Sequence, residues 1–381
     1  MKVVFISNFL THHQVPFCLE MQKRLGDDFK FISTVKIFDW RLKLGFKDLD
    51  NEYDFVVKAY KDAQTWKYAK KLANESDVVI IGSTTDDLIE ERLRQDKLIF
   101  RYRARVFIFP DGFFKTACDL DKLKLFYGRH LKYRKNENLY LLCANAYGPE
   151  DFRKLGLYKN KIYKWGYFLE TNKYDIDKLI AKKEENKRIE IIWVARFISW
   201  KHPEVVIKLA QNLKKQNYNF RIKMLGTGKL EEKTKKAIKK HGLEDVVQVV
   251  GQVPSDEVKN YMEKANIFIG TSDSQEGWGA VINESMNAGC AIVANRRMGS
   301  VPFLIKDNEN GFSYDKFAEL ESKVKMLIDN KELRDKLGKN AYTYITEKWT
   351  SSIAANNVIE LFDSIINNKE YNITEGPASK V

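Results

Sequence analysis

Short apolar runs alternate with longer amphipathic stretches through the first half of the chain. The runs rich in β-branched residues predict strands, and the stretches with a helical repeat predict helices between several of them. The predicted strands are KVVFIS (2–7), FKFIST (29–34), DVVIIG (77–82), KLIFRY (97–102), LYLLCA (139–144) and KIYKWGYF (161–168), and the predicted helices cover 14–25, 61–75 and 115–134. This alternation is typical of βα units around a parallel sheet.

The pattern is interrupted at residues 170–188, ETNKYDIDKLIAKKEENKR, and then starts again. That stretch is polar and rich in lysine, so we expect it to mark a boundary with few residues in a core. The strands predicted after it are 189–195, 220–226, 246–251, 266–270 and 290–295, and the helices are 203–215, 229–241, 255–264, 279–289, 316–328, 331–347 and 352–367.

Two such series predict an α/β protein with two Rossmann-like open parallel sheets that face each other across a cleft. A chain of 381 residues is long enough for two separate cores. The predicted domains are 1–170 and 189–350, joined by a linker at 171–188 and followed by a helix at 351–368 and a mobile polar tail at 369–381. Ligands bind such sheets at the carboxyl ends of the strands, so we expect the chemistry there.

Composition excludes several classes of protein. With 44% hydrophobic and 31% charged residues the chain is not disordered as a whole, and no apolar run approaches the roughly 20 residues that cross a bilayer. The N-terminal MKVVFISNFL lacks a cleavage pattern and is expected to be a strand, not a signal peptide. The four cysteines are far apart, without a metal-like spacing, which favours reduced packing residues: Cys18, Cys118, Cys143 and Cys290.

A net charge of +13 indicates an anionic partner. Nucleic acid, acidic lipid and a phosphorylated substrate all fit that charge, which cannot choose among them.

The stretch SDSQEGWGAVINESMNAGCAIVA (272–294) places Glu276 in a Gly-rich turn at the mouth of a predicted helix and Glu284 about a turn and a half inside that helix. Gly277 and Gly279 let the backbone approach a ligand closely, and free N–H groups at a helix start attract anions. Glu276 can accept hydrogen bonds from sugar hydroxyls, and Glu284 can accept both vicinal hydroxyls of a ribose. The plainer alternative is that Glu276 favours the helix dipole and that Glu284 faces solvent.

The stretch WVARFISWKHPE places Arg196 directly after a predicted strand and Lys201 at the start of the next helix. Two cations there can clamp a diphosphate and neutralise the charge that grows as it leaves, although a surface pair is the alternative. A Gly-rich turn, MLGTGKL (224–230), follows. The chain has no P-loop and no dinucleotide-binding fingerprint, so ATPase and dehydrogenase functions lose their main support.

The order of these motifs resembles glycosyltransferase family 4, the group 1 retaining transferases of GT-B fold. The resemblance rests on Arg196 and Lys201, then Gly226-Thr227-Gly228, then Glu276 and Glu284 in an E-x7-E frame. It implies that the arginine and lysine hold the donor diphosphate, that Glu284 holds the nucleotide ribose and that Glu276 contacts the donor sugar.

The same resemblance implies further donor contacts and a division of labour between the domains. Backbone groups of Gly277, Trp278 and Gly279 would meet the sugar and phosphate, Gly226 would also belong to the donor site, and backbone groups of Gly251 to Val253 would line the base. The N-terminal domain would bind the acceptor, and the final helix would cross back onto it. No cofactor or metal is expected, because no DxD pair is expected to act as a metal site in the cleft, and the nucleotide-diphosphate sugar, expected to be UDP-linked, is the substrate.

The N-terminal half departs from the family pattern. NFLTHHQVPF (8–17) replaces the usual glycine-rich loop, and RYRAR (101–105) stands where a histidine is common. We predict acceptor contacts from His12, His13, Arg103 and Arg105, with structural histidines and solvated arginines as the alternatives. Three other histidines are expected to be structural: His130, His202 and His241.

Residues 113–135, FFKTACDLDKLKLFYGRHLKYRK, interleave aromatic and basic side chains. A helix of this kind can lie in a lipid headgroup layer, where each cation contributes about 1 kcal/mol on anionic lipid. An ordinary amphipathic helix with a charged outer face is the alternative. The predicted membrane contacts are Phe113, Phe114, Lys122, Lys124, Arg129 and Lys132.

We therefore expect a metal-independent retaining hexosyltransferase that is cytoplasmic and peripherally associated with the inner face of the plasma membrane. It would move a sugar from a UDP-sugar to a hydroxyl of a lipid-linked glycan or oligosaccharide in bacterial surface polysaccharide biosynthesis. The alternatives are a sugar-nucleotide epimerase of the same fold, a phosphorylase, and a nonenzymatic binder of nucleic acid or another polyanion. No zinc or RNP-like pattern supports the last, so no nucleic-acid partner is expected.

Overall fold

A computed structural model describes residues 1–42, 47–82, 88, 92, 97–103 and 135–381. The chain divides into two compact units. Unit 1 consists of Met1–Glu170 together with Ser351–Val381, and unit 2 consists of Thr171–Thr350.

Unit 1 is built on a parallel seven-stranded sheet with the strand order β3-β2-β1-β4-β5-β6-β7. Its strands are β1 (Val3–Ser7), β2 (Phe29–Ser33), β3 (Val56–Lys58), β4 (Val78–Ile81), β5 (Leu98–Arg103), β6 (Leu139–Cys143) and β7 (Ile162–Lys164). Its described helices in the N-terminal part are α1 (Val15–Leu25), α2 (Asp39–Leu42), α3 (Ala63–Glu75) and α4 (Gly148–Lys154). Strands β1 and β4 are buried along their whole length, which explains their continuous apolar sequences.

The end of the chain returns to unit 1 as helix α13 (Ser351–Ile366). Arg24 on α1 donates a hydrogen bond of 2.9 Å to the Ser352 hydroxyl and another to Asn356. The Phe362 ring lies 4.6 Å from that of Phe100 on β5. The last helix is therefore part of the core of unit 1.

The polar tail, expected to be mobile, is instead ordered against β7. Ala378 and Ser379 are fully buried. The Lys164 amide donates to the Ser379 carbonyl, and the Ala378 amide donates to the Lys164 carbonyl, both at 2.8 Å. The prediction of mobility was wrong because the tail satisfies backbone groups at an open sheet edge, which composition does not reveal.

Unit 2 is built on a parallel six-stranded sheet with the order β10-β9-β8-β11-β12-β13. Its strands are β8 (Ile189–Val194), β9 (Phe220–Leu225), β10 (Val247–Gly251), β11 (Ile267–Gly270), β12 (Ala291–Asn295) and β13 (Phe312–Tyr314). Its helices are α5 (Ile176–Lys183), α6 (Pro203–Lys215), α7 (Glu231–Lys240), α8 (Ser255–Lys264), α9 (Val281–Asn287), α10 (Val301–Leu304), α11 (Phe317–Asp329) and α12 (Lys331–Glu347).

The stretch expected to be a linker holds helix α5, which packs into unit 2. Asp175 caps the helix by accepting from the Lys178 amide, and Ile180 is buried. Lys183 is 2% exposed, and its ammonium donates to the carbonyls of Ala265 and Ala288 at 2.7 and 2.6 Å. The linker prediction was wrong because Lys183 is buried and donates hydrogen bonds to carbonyl groups at two helix ends. A lysine-rich composition alone suggests an exposed stretch.

The fold class predicted from the sequence is confirmed. Each unit has a parallel sheet whose strand order reverses once, and the predicted strands are present in both. Strands β3 and β13 were missed, because three residues are too few to show a repeat.

Candidate functional site

The strand order of unit 2 brings two functional loops together. Strand β8 lies between β9 and β11, and the chain leaves β8 and β11 at the same sheet edge in opposite directions. Such a switch point forms a crevice at the carboxyl ends of the strands. The loop after β8 carries Arg196 and Lys201, and the loop after β11 carries Glu276 and leads to Glu284.

Two glycines fix the loop that carries Arg196. A β-carbon on Gly226, whose φ is +124°, would lie 2.1 Å from the Ala195 carbonyl oxygen, and one on Gly228 would lie 2.5 Å from that of Phe197. The Phe197 amide donates to the Thr227 carbonyl at 2.9 Å. Gly226 therefore acts on the site by letting two backbones pack, which the sequence pattern alone did not indicate.

The Arg196 side chain lies at the surface of this loop. Its guanidinium carbon is 5.4 Å from the centre of the Trp200 ring, within the range of a cation–π contact. The residue is exposed. The arrangement leaves the cation accessible to an anionic ligand while the indole restricts its orientation.

Lys201 and Glu276 form an ion pair. Their side chains are only 13% and 17% exposed. Burial, and to a lesser degree the nearby Arg196, lowers the pKa of Lys201 to about 8. The family resemblance assigned Lys201 to the donor diphosphate and Glu276 to the donor sugar. The structure places the two side chains in direct contact.

The Glu276 loop is held by residues 298–300. The Glu276 carbonyl accepts from the Gly299 amide at 3.2 Å, and the Trp278 carbonyl accepts from the Ser300 amide at 3.0 Å. Gly279 has a φ of +87°, and a β-carbon there would lie 2.7 Å from the Met298 methyl and 3.3 Å from Glu276 Cγ. Residues 298–300 thus position the loop that carries the glutamate.

The side chain of Trp278 is buried in the core. It is 2% exposed, its ring stacks on that of Trp349 at 5.7 Å, and its indole N–H donates to Asn283 at 2.9 Å. Because the indole is buried, any ligand contact from this residue must come from its backbone, as was predicted for Gly277, Trp278 and Gly279.

Glu284 lies in the first turn of α9, because the helix begins at Val281 and not at residue 279 as predicted. Its side chain is exposed, and its carboxylate has no hydrogen-bond or ion-pair partner among the described residues. Desolvation by the surrounding protein raises the pKa of this carboxyl to about 7. In its ionised form, both oxygens can accept hydrogen bonds from ligand hydroxyls.

Gly251 is the last residue of β10, and Val253 lies just after it at the same edge. Gly251 has a φ of +88°, and its carbonyl accepts from the Gly226 amide at 2.8 Å. Both residues are half-buried. Gly251 therefore adjoins the Gly226 turn, and the base contacts stay a prediction.

Three residues to which the sequence analysis gave no ligand contact tie the two loops together. The Thr271 hydroxyl donates to the Lys201 carbonyl, the Asp273 amide donates to the Trp200 carbonyl at 3.0 Å, and the His202 ring lies 3.1 Å from the Asp273 carboxylate. No periodicity or motif marks such loop-to-loop contacts.

In unit 1, His12 and His13 lie in the loop after β1, at the point where the strand order of that sheet reverses. Their ring centres are 3.7 Å apart, and His13 stacks on Tyr167 at 5.1 Å. Burial, followed by the charges of His12 and Arg41, lowers the pKa of His13 to about 3, and burial lowers that of His12 as well. Both rings are therefore neutral at neutral pH, so they suit hydrogen bonding better than phosphate neutralisation.

A buried carboxylate that was not predicted supports this loop. Asp50, which is 2% exposed, accepts from the Leu10 amide at 3.0 Å, the Ser33 hydroxyl at 2.8 Å and the Tyr60 hydroxyl at 3.2 Å. Burial raises its pKa despite these hydrogen bonds. Asp50 thus joins the loop after β1 to the end of β2.

The remaining predicted residues are the two acceptor arginines and the predicted membrane contacts. Arg103 ends β5, so its backbone is at the carboxyl edge of the sheet. The other acceptor arginine and all predicted membrane contacts lie outside the described residues: Arg105, Phe113, Phe114, Lys122, Lys124, Arg129 and Lys132. Within the described ranges, no helix is long and apolar enough to cross a membrane, and no group of histidine, cysteine or acidic residues could hold a metal ion.

Residues 175–344, which fall inside unit 2, match the family model described as glycosyl transferases group 1. Unit 2 is thus similar to the group 1 glycosyl transferases. The putative colanic acid biosynthesis glycosyltransferase WcaL of Escherichia coli (strain K12) is 33% identical over 129 residues, which are 32% of each chain. The chain therefore spans about a third of the length of the curated relatives it matches.

Solved structures extend the similarity of fold over almost the whole chain. A glycosyltransferase from Rickettsia africae has a TM-score of 0.68 at 17% identity, with 97% of this chain and 99% of that one covered. Anabaena Alr3699/HepE in complex with UDP has a TM-score of 0.69 at 15% identity, with 96% and 100% covered. The chain therefore has the GT-B type of fold.

Proposed function

We propose that this protein is a retaining glycosyltransferase that moves a sugar from a UDP-sugar to a hydroxyl of a glycan acceptor. The observation that carries the proposal is the grouping of Arg196, Lys201, Glu276 and Glu284 at the switch point of unit 2. Cations for a diphosphate and an open carboxylate for a ribose lie on adjacent loops. The match of this unit to the group 1 family model and the UDP complex of Alr3699/HepE support the same ligand class.

In the proposed reaction the leaving diphosphate is stabilised by Arg196 and Lys201. Their positive charge offsets the negative charge that grows on the departing oxygen, and the partial burial of Lys201 strengthens this interaction. The acceptor hydroxyl attacks the anomeric carbon from the face that the diphosphate leaves, and the departing phosphate takes up the hydroxyl proton. The C1–O bond to the acceptor forms while the C1–O bond to the diphosphate breaks, so the anomeric configuration is retained.

The acceptor proposed is a lipid-linked glycan or oligosaccharide of a surface polysaccharide. WcaL is named as a putative glycosyltransferase of colanic acid biosynthesis, which supports this class of acceptor. Acceptor contacts are assigned to His12, His13, Arg103 and Arg105. We propose that residues 113–135 attach the protein peripherally to the inner face of the plasma membrane. Sedimentation with anionic and neutral vesicles tests this attachment.

A screen of purified protein with UDP-, GDP- and ADP-sugars tests the donor. A UDP-sugar should raise the melting temperature, and UDP release should require an acceptor, whereas an epimerase would convert the donor alone. Transfer should persist in EDTA, and NMR should show retention in the product. Lack of stabilisation by every nucleotide sugar would contradict the proposal.

Two pairs of variants locate the site. Glu284→Ala and Lys201→Ala should each lower transfer at least about 100-fold without unfolding the protein. Glu347→Ala and Lys239→Ala remove exposed charges elsewhere in unit 2 and should leave transfer unchanged. Equal activity in the site variants and in their controls would place the chemistry elsewhere.

A further inference from the structure

His202 has a backbone conformation that is unfavourable for a residue with a β-carbon. Its φ and ψ are 50° and 55°, in the left-handed region. It ends the 3₁₀ turn Ser199–Lys201 and directly precedes α6. Glycine fits such a position most easily, and other residues persist there when surrounding contacts hold them.

The His202 ring makes those contacts with two carboxylates. Nδ1 lies 2.8 Å from Glu204 Oε1, and Nε2 lies 3.1 Å from Asp273 Oδ2. An ionised carboxylate only accepts hydrogen bonds, so both ring nitrogens must carry protons to satisfy both contacts. Burial would lower the pKa of His202, but the two carboxylates outweigh burial and raise that pKa above its ordinary value.

The ring connects the loop of Lys201 to the loop of Glu276. Asp273 accepts the His202 contact, and its carbonyl accepts from the Glu276 amide at 3.1 Å. Besides the ion pair of Lys201 with Glu276, the loops are joined by hydrogen bonds from Thr271 to the Lys201 carbonyl and from Asp273 to the Trp200 carbonyl, which do not titrate near neutral pH. His202 adds a contact that does.

We propose that His202, as an imidazolium between Glu204 and Asp273, is a positioning residue that keeps the Lys201 ammonium placed for the donor diphosphate. This proposal rests on the function proposed above, because His202 would position a residue of the same donor site. The sequence suggested only a structural histidine here. The geometry instead gives it a charge-dependent action on the lysine that precedes it.

Loss of the imidazolium charge should weaken donor binding as the pH rises. A group whose pKa is raised in the folded protein keeps its contacts below that pKa and loses them above it. The charged groups around the ring are Glu204 on α6, Asp273 after β11, and Lys201 and Arg196 on its own loop. Because the pKa of Lys201 is about 8, the wild-type decline should contain a second step from the lysine itself.

The decisive variant is His202→Gly, which tolerates the left-handed backbone and removes the imidazole together with its β-carbon. At about pH 6 it should bind UDP at least about tenfold more weakly than wild type, since small displacements of a charged group cost that much. At about pH 9 the two affinities should converge, because a ring that has lost its second proton can no longer donate to both carboxylates. His241→Gln, at an exposed position after α7, should follow the wild-type curve.

A titration of the wild-type protein complements the variant. The chain has five histidines, so labelled histidine gives a spectrum in which His202 is assigned by its loss in His202→Gly. Its pKa should lie above 6.5, the ordinary value, and should fall in Glu204→Gln. A wild-type pKa below 6.5 would overturn the inference even if the glycine variant failed to fold.

The outcomes separate this inference from the proposed function. If wild type binds no nucleotide sugar, the function fails and the inference with it. If wild type binds UDP but His202→Gly binds equally well at every pH, the function stands and the inference is wrong. A loss of affinity that is the same at every pH would show a purely structural histidine and would also overturn it.

Discussion

At the scale of single residues, the Lys201 ammonium is paired with a carboxylate that belongs to the same proposed site. Replacing Glu276 with Gln removes the charge that competes for the lysine and repels a diphosphate. UDP should then bind up to about tenfold more tightly. Transfer should fall at least about 100-fold, because the contact to the sugar is lost.

Titration calorimetry with UDP and a transfer assay check these two opposite effects. Gln275→Ala, at the exposed neighbouring position, should change neither quantity. If Glu276→Gln kept full transfer and unchanged UDP affinity, the ion pair would be only structural.

Gly226 and Gly242 separate the cost of a left-handed backbone from the cost of a clash. Both have positive φ, but a β-carbon on Gly242 would meet nothing within 4 Å, whereas one on Gly226 would lie 2.1 Å from the Ala195 carbonyl. Gly242→Ala should lower the free energy of unfolding by about 1 kcal/mol. Gly226→Ala should cost about 3 kcal/mol or more and weaken UDP binding by moving the Arg196 loop.

Urea unfolding and UDP titration of the two variants provide the comparison. Equal losses of stability, with UDP affinity intact in both, would mean that the Gly226 contact does not hold the Arg196 loop.

At the scale of secondary-structure elements, helix α5 is fastened to unit 2 by Lys183. Lys183→Met keeps much of the side-chain volume but leaves the carbonyls of Ala265 and Ala288 without their donor. The free energy of unfolding should fall by about 2–4 kcal/mol, the cost of unsatisfied buried groups. Lys182→Met, at the exposed neighbouring position, should change it by less than about 0.5 kcal/mol, and a similar loss in both variants would deny Lys183 this role.

The elements differ in how far the sequence could predict them. Strands such as β1 and β4 are continuous apolar runs, which buried parallel strands require, so their pattern was sufficient. Helix α5 was missed because its lysines suggested solvent, although one of them is buried against carbonyl groups of the surrounding fold. A composition cannot show which lysine finds such partners.

The residues of the candidate site also differ in how far the sequence could predict them. Arg196, Lys201, Glu276 and Glu284 were found because strand ends and glycine-rich turns mark the edge of a parallel sheet. The pairing of Lys201 with Glu276 and the left-handed His202 could not be predicted, because they depend on how two loops distant in sequence meet.

At the scale of the whole molecule, both ends of the chain build unit 1. The tail reaches β7 through backbone hydrogen bonds, and Asn357 on α13 donates to the Pro377 carbonyl at 2.9 Å. A chain that ends at Lys369 would expose the β7 edge and leave those backbone groups without partners. We therefore expect this truncation to destabilise unit 1, in contrast to the removal of a mobile tail.

Hydrogen exchange and thermal unfolding test that expectation. In the truncated chain the β7 amides, including that of Lys164, should lose protection, and the melting temperature should fall by several degrees. The strands of unit 2 should keep their protection, because the tail belongs to the other unit. Lys380→Ala removes an exposed side chain but keeps the backbone bridge to Tyr163, so it should behave as wild type. Unchanged protection at Lys164 in the truncated chain would show that β7 is stable without the tail and that the tail contributes nothing to unit 1.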